Sequence, residues 1–154
     1  MTRRVSIFGA TGSIGQNTID LIDRNREAYE IIALTGGANV DRLAADARRL
    51  KARIAVTAYD DRLGDLRSAL AGTGIEAAAG EAAVKEAAER PADWVMSAIV
   101  VAAGLAPGLT ALRQGATLAL ANKESLVTAG PLLMRTARAH GATVLPVDSE
   151  HSAV

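Results

Sequence analysis

Three short segments of the sequence combine residue types and spacings that chemistry can use. The first, Gly9-Ala10-Thr11-Gly12-Ser13-Ile14-Gly15, follows the β-rich run Val5-Ser6-Ile7-Phe8 and precedes a helical pattern. Gly9 permits a tight turn, Gly12 lets backbone approach a pyrophosphate, and Gly15 lets the helix lie close to the strand. The start of such a helix offers free N–H groups and partial positive charge to a phosphate. The spacing is G-x-x-G-x-x-G rather than G-x-G-x-x-G, and the bland alternative is a glycine-rich turn without ligand. Its position directly after the first strand favours the dinucleotide reading. A domain that prefers NAD carries Asp or Glu about twenty residues further on, against the ribose 2′-hydroxyl. Here the second strand pattern ends in Leu34-Thr35-Gly36-Gly37-Ala38-Asn39, with no carboxylate. That absence favours NADPH, because nothing there repels a 2′-phosphate. No Lys or Arg stands in the run either. Asn39 and Arg42 are the candidates for the contact, and Asn39 serves equally well as the cap of the next helix.

The second segment is Ala121-Asn122-Lys123-Glu124-Ser125, at the end of an apolar run and the start of a long helical pattern. Lys123 there can hold a phosphate or polarise a carbonyl oxygen. The alternative, with Asn122 as a cap and Glu124 complementing the helix dipole, weighs the same. The third is Asp148-Ser149-Glu150-His151 after Val144-Leu145-Pro146-Val147. Residues i and i+2 of an extended segment face the same way, so Asp148 and Glu150 can share one hard cation, Mg²⁺ or Mn²⁺. The competing reading is a solvated chain end. His140 and His151 have no ligand spacing to a partner and read as surface. One Trp, two Tyr and one Phe are too few for a nucleic-acid stacking platform.

These segments need elements to hold them. Apolar β-rich runs at Val5–Phe8, Ile31–Leu34, Ile54–Val56, Trp94–Met96, Thr117–Leu120 and Thr143–Val147 predict six strands. Between them, helical periodicity appears at Ile14–Ile22, at Val40, Leu43, Ala44, Ala47 and Leu50, and from about Lys123 to His140. Thr11 and Ser13 are candidate caps of the first helix. Leu105–Leu112 reads as a helix interrupted early by Pro107. Residues 60–90 are less regular: Leu63, Leu66 and Leu70 suggest one helix, and the alanine-rich stretch 77–89 suggests another by propensity. Alternation of strand and helix predicts a doubly wound α/β fold, its mainly parallel sheet covered by helices on both faces. In such folds ligands bind outside the carboxyl ends of the strands, where all three segments fall.

The chain has 154 residues, enough for one domain. With 49% apolar and 22% charged residues and a mean hydropathy of +0.16, it reads as a folded domain. Seventeen basic residues balance seventeen acidic ones, which predicts no nucleic-acid and no membrane partner. The absence of Cys removes disulfides, thiolate metal sites and Cys nucleophiles. No apolar run approaches the ~20 residues of a membrane span, and no signal sequence is evident, so a cytoplasmic protein is expected. Polar residues that close a strand tip at the end of the chain suggest part of a longer protein.

The glycine segment, Ala121-Asn122-Lys123-Glu124-Ser125-Leu126-Val127 and Leu145-Pro146-Val147-Asp148-Ser149-Glu150-His151-Ser152-Ala153, in this order, closely resemble the N-terminal part of the 1-deoxy-D-xylulose 5-phosphate reductoisomerase family. Ser97-Ala98-Ile99-Val100 followed by Ala102-Ala103-Gly104-Leu105 adds to the match, and the resemblance covers the whole chain. It implies an NADPH-binding Rossmann-like domain over residues 1–154, ending where a catalytic domain begins. By that resemblance Thr11, Gly12, Ser13 and Ile14 belong to the pyrophosphate loop, and Gly37 and Asn39 surround the 2′-phosphate. Asn122 and Glu124 are implied as further cofactor contacts. Lys123, Ser149 and Glu150 are implied substrate contacts, with Lys123 and Glu150 catalytic and Asp148 and Glu150 ligands of Mg²⁺ or Mn²⁺, Co²⁺ being a further candidate. Ala38 stands where many members carry a basic or hydroxyl residue, and Val101 where Gly is common. The implied substrate is a small sugar phosphate, 1-deoxy-D-xylulose 5-phosphate. It is rearranged with the help of the metal and then reduced by NADPH to 2-C-methyl-D-erythritol 4-phosphate. A homodimer is implied for the full-length protein, and no turnover by residues 1–154 alone. Two alternatives stand beside this one: a semialdehyde-type dehydrogenase with a G-x-x-G-x-x-G loop, and a stand-alone, non-enzymatic NADP-binding module.

Overall fold

Val5, Ile7 and Phe8 are almost wholly buried, because the strand they form, β1 (Arg3–Phe8), lies inside the sheet with neighbours on both edges. The computed structural model describes residues 2–98, 101–121 and 123–147. In chain order β1 is followed by α1 (Ser13–Arg24), β2 (Tyr29–Gly36), α2 (Val40–Leu50), β3 (Ile54–Thr57) and α3 (Leu63–Ala69). Then come β4 (Glu76–Ala79), α4 (Glu81–Glu89), β5 (Trp94–Ser97), α5 (Val101–Arg113), β6 (Thr117–Leu120), α6 (Lys123–His140) and β7 (Thr143–Pro146). The strands form one sheet of order β4-β3-β2-β1-β5-β6-β7, and every pairing is parallel. All carboxyl ends therefore share one edge. The doubly wound α/β fold expected from the sequence is present, with a sheet that is wholly rather than mainly parallel.

Alternation along β1 divides the core. Val5 and Ile7 join Ile19 and Ile22 of α1, Leu43, Ala47 and Leu50 of α2, and Leu66 of α3. Phe8 turns to the other face, with Ala87 and Ala88 of α4, Leu112 of α5 and Leu133 of α6. The first three helices cover one face and the last three the other, as right-handed crossovers dictate when strand order reverses about β1. At the amino end of the seam between β1 and β5, Arg4 grips Asp93. The Arg4 backbone N–H donates to Asp93 Oδ2 at 2.9 Å and its Nη2 to Oδ1 at 3.1 Å.

Three local expectations are corrected. The alanine-rich stretch 77–89 is not one helix: Glu76–Ala79 forms β4, paired residue for residue with β3 from Ile54↔Glu76 to Thr57↔Ala79. This additional strand exists because the open edge of β3 offers backbone hydrogen bonds that outweigh the helix preference of alanine; α4 begins only after Gly80. Pro107 does not interrupt its helix, which runs through it from Val101 to Arg113. Proline there removes one N–H donor, a loss borne by a helix whose Ala111 and Leu112 are buried against the sheet and α6. Finally, neither Thr11 nor Ser13 caps α1. The N-cap is Gly12, with no side-chain cap.

Candidate nucleotide cleft

The segment from Gly9 to Gly15 joins β1 to α1 at the carboxyl edge of the sheet. Gly9 has φ +87°, a left-handed conformation that favours glycine. Its N–H donates to Thr35 Oγ1 at 3.1 Å, and the Ala10 N–H donates to the Thr35 carbonyl at 2.7 Å. The loop is thus tied to the end of β2 through Thr35. At Gly15 a Cβ would stand 2.6 Å from the Ala10 carbonyl oxygen; glycine is what lets α1 lie on its own loop. At Gly12 a Cβ would meet only the Gly9 oxygen, at 3.7 Å. The protein has room for a side chain there, so any demand for glycine at position 12 comes from the solvent side.

The electrostatics follow from the missing cap. Gly12 has no side chain to accept from the first-turn N–H groups, and α1 carries no acidic residue in that turn. The first intrahelical bond runs from the Gln16 N–H to the Gly12 carbonyl at 2.9 Å. The N–H groups ahead of it, on Ser13, Ile14 and Gly15, are those a helix leaves for an external acceptor. This is the donor set that a pyrophosphate needs, and the residues fit a dinucleotide on that ground.

Beside the loop lies a cleft of about 410 Å³, within the ~300–1,000 Å³ usual for small-molecule sites. Gly9, Thr11 and Thr35–Gly37 form one side, Ala58 the floor beyond β3, and Glu81, Val84, Lys85, Ala106 and Pro107 the other wall, from α4 and α5. It spans the switch point between β1 and β5, where open α/β sheets bind ligands. Thr57 Oγ1 donates to the Gly37 carbonyl at 2.9 Å, and the Ala58 N–H donates to the Gly36 carbonyl at 2.9 Å. The end of β2 is held rigidly against β3.

Asn39 is the N-cap of α2: its Oδ1 accepts from the Arg42 N–H at 3.2 Å. The capping role uses only the oxygen, and the Nδ2 donor has no partner among the described residues. Cap and ligand contact are therefore compatible in one side chain. No carboxylate stands between Thr35 and Asn39, in agreement with the composition of that run.

The predicted residues divide into those the structure gathers and those it does not describe. Thr11 and Gly37 line the cleft, Gly12, Ser13 and Ile14 open α1, and Asn39 opens α2. Lys123 and Glu124 belong to the first turn of α6, at the carboxyl end of β6. Asn122, Asp148, Ser149, Glu150 and His151 lie outside the described residues. Among the described residues no group of three or more His, Asp or Glu side chains could hold a metal ion. Sequence reasoning missed Thr35, Ala58, Glu81, Val84 and Lys85 as part of the cleft. A β-branched hydroxyl closing the second strand was the available signal for Thr35; the α4 residues gave none.

Comparison with known proteins agrees with this geometry. The family model for 1-deoxy-D-xylulose 5-phosphate reductoisomerase matches residues 5–130. The chain is 74% identical over 152 residues to the Ruegeria pomeroyi protein of that name, covering 99% of this chain and 38% of that one. It is 76% identical to the one from Jannaschia sp., covering 99% and 39% respectively. The chain thus spans about 38% of the length of such relatives. Among solved structures, it superposes on the Zymomonas mobilis reductoisomerase in complex with NADPH with a TM-score of 0.94 at 54% identity, over 98% of this chain and 40% of that one. A reductoisomerase in complex with NADPH, fosmidomycin and magnesium gives 0.88 at 42% identity, over 97% and 37%. A homoserine dehydrogenase in complex with NADPH, at 17% identity and TM-score 0.62, shares the fold alone. From residues 5–130 and from identities above 70% across its whole length, this chain belongs to the 1-deoxy-D-xylulose 5-phosphate reductoisomerase family.

Proposed function

We propose that residues 1–154 are the NADPH-binding domain of a reductoisomerase that converts 1-deoxy-D-xylulose 5-phosphate to 2-C-methyl-D-erythritol 4-phosphate with a divalent metal. The observation that carries this reading is the uncapped N-terminus of α1 opening beside a cleft whose β2 wall ends without a carboxylate. Thr11, Gly12, Ser13 and Ile14 receive the pyrophosphate through backbone N–H groups and the helix dipole. Gly37 and the Nδ2 of Asn39, without a partner among the described residues, face the 2′-phosphate. The cleft takes the adenosine against Ala58, Val84 and Pro107. Family membership and the solved NADPH complex of a relative support this assignment.

The remaining assignments rest on the sequence motifs and on the relatives. Asn122 and Glu124 complete the cofactor site, Lys123 and Ser149 hold substrate, and Asp148 and Glu150 hold Mg²⁺ or Mn²⁺. A relative solved with magnesium supports a divalent ion. When bound, NADPH supplies hydride, and the metal supplies positive charge at substrate oxygens. Lys123 contributes a cation for substrate oxygens, and Glu150 touches both metal and substrate. The full-length protein acts as a cytoplasmic homodimer; no helix among the described residues is long and apolar enough to cross a membrane.

Two measurements test the reading. Calorimetry with NADPH and NADH at matched salt is expected to give tighter binding of NADPH; equal affinities would remove the 2′-phosphate argument. An NADPH-oxidation assay with 1-deoxy-D-xylulose 5-phosphate and Mn²⁺ is expected to show turnover by the natural full-length protein and none by residues 1–154 alone. Turnover by the shorter chain would favour a self-sufficient enzyme of this length.

A further inference from the structure

The run Thr35–Asn39 at the end of β2 carries no basic side chain, yet a cation is held close by. Arg42, in the first turn of α2, donates from Nη1 to Gln16 Oε1 at 2.8 Å. Gln16 belongs to α1, and its Nε2 donates in turn to the Ala10 carbonyl at 2.9 Å and to Asp46 Oδ2 at 2.6 Å. The amide can sit only this way round: its nitrogen faces two acceptors, and its oxygen faces a guanidinium that has only donors. One side chain thus joins the pyrophosphate loop, the first turn of α2 and a carboxylate that is only 6% exposed.

We infer that Gln16 is a positioning residue for NADPH selectivity, keeping Arg42 off Asp46 by standing between the two and leaving its charge for the 2′-phosphate. The inference rests on the cofactor assignment above. Arg42 and Asp46 are four residues apart on α2, a spacing at which opposite charges pair directly on a helix. Among the described residues Arg42 makes no ion pair; Asp46 instead takes the Gln16 amide and Arg49, whose Nη2 lies 3.6 Å from its Oδ1. A neutral amide accepts one guanidinium hydrogen and leaves the positive charge uncancelled. A carboxylate would cancel it. In dinucleotide domains an Arg close to the end of the second strand is what accommodates a 2′-phosphate, and the Gln16 contact ties Arg42, in the first turn of α2, to the helix that the pyrophosphate loop opens.

The test uses the natural full-length protein and the ratio of NADPH to NADH affinity, measured by fluorescence titration at one salt concentration. The ratio cancels whatever the Gln16 bond to Ala10 does for both cofactors alike. In Gln16→Ala, Arg42 is free to fall onto Asp46, and the ratio is expected to drop about tenfold, the size of one charge-assisted hydrogen bond. Adding Asp46→Asn removes the competing carboxylate, and the double variant is expected to recover most of the ratio. Arg42→Gln is expected to lower the ratio at least as far, with no further loss when Gln16→Ala is added. Circular dichroism and thermal unfolding confirm folding, and Gln16→Met, which keeps the bulk and removes both polar ends, carries the same expectation if Gln16→Ala is misfolded. A wild type that does not prefer NADPH overturns the cofactor assignment itself. A wild type that prefers NADPH, with an unchanged ratio in Gln16→Ala or no recovery in the double variant, overturns this inference and leaves the assignment standing.

Discussion

Gly15 and Gly12 separate what the glycine loop does for folding from what it does for a ligand. In Gly15→Ala the new Cβ would lie 2.6 Å from the Ala10 oxygen and 2.7 Å from its carbon, well inside the 3.4 Å at which ordinary contact begins. Both atoms are backbone, so relief requires α1 and its loop to move apart. Overpacking against such neighbours costs about 3 kcal/mol, the upper end of the usual range, and alanine returns about 1 kcal/mol of helix propensity. A net loss of about 2 kcal/mol lowers the unfolding midpoint by roughly 4–8 °C in a chain of this size. Gly12→Val, by contrast, places its Cβ in ordinary contact, with the Gly9 oxygen nearest at 3.7 Å. Its folding cost is that of a poorer N-cap, below about 1 kcal/mol, while its methyl groups stand where a pyrophosphate must approach. Thermal unfolding by circular dichroism and cofactor titration, run on both variants, give opposite patterns under this reasoning. Gly15→Ala melts early, whereas Gly12→Val melts nearly as wild type and binds neither NADPH nor NADH. A Gly15→Ala protein of wild-type stability would refute the packing argument, and a Gly12→Val protein that binds normally would refute the pyrophosphate argument.

Asp148→Asn in the full-length protein is expected to abolish most metal-dependent turnover while leaving NADPH affinity nearly unchanged; full activity in that variant would sink the metal assignment. Mn²⁺ titration is expected to show weak binding to residues 1–154 and much tighter binding to the full-length protein, since two carboxylates give a hard cation few of its ligands. The hydrogen bonds that Asp93 accepts from the Arg4 side chain and backbone hold its carboxyl below the ordinary carboxylate range. Its contribution to stability is therefore complete above that range and lost as the pH falls through the lower folded value. Asp93→Asn should cost a little stability at neutral pH, little because both side chains stay nearly half exposed at 43% and 45%. The deficit should vanish in strong acid, and a deficit as large there would contradict the ion-pair account.

Positions with one strong local cause were legible in the sequence. Val40, Leu43, Ala44, Ala47 and Leu50 repeat at helical spacing, and all five are buried on the inner face of α2. The glycine loop was legible because residue type and position after a strand both constrain it. β4 was not, since Glu76–Ala79 becomes a strand only when the edge of β3 is there to pair with it. The Val84 and Lys85 wall of the cleft was hidden for the same reason: its helix begins where that strand ends. Asn39 was left between cap and contact; the structure uses its oxygen as the cap, and its nitrogen has no partner among the described residues. The Gln16–Arg42–Asp46 arrangement depends on side chains of two helices meeting, which no spacing along one chain reports.

The strand order has a consequence for how the chain reaches its fold. β1 finds β2 within some 26 residues, as Arg3↔Tyr29 shows, but its other edge waits for Val5↔Trp94. Contacts so far apart in sequence slow folding, and during synthesis the β1 edge stays open until β5 has emerged. Through that interval a strand that ends up inside the sheet is an unpaired edge able to join a neighbouring chain. The loop from Gly9 to Gly15 and its Thr35 tether need only β1, α1 and β2, whereas the α4 and α5 wall of the cleft arrives last. Half of the proposed nucleotide site is thus built early and half late, so on that proposal cofactor capture would report that the second half of the sheet has docked on the first.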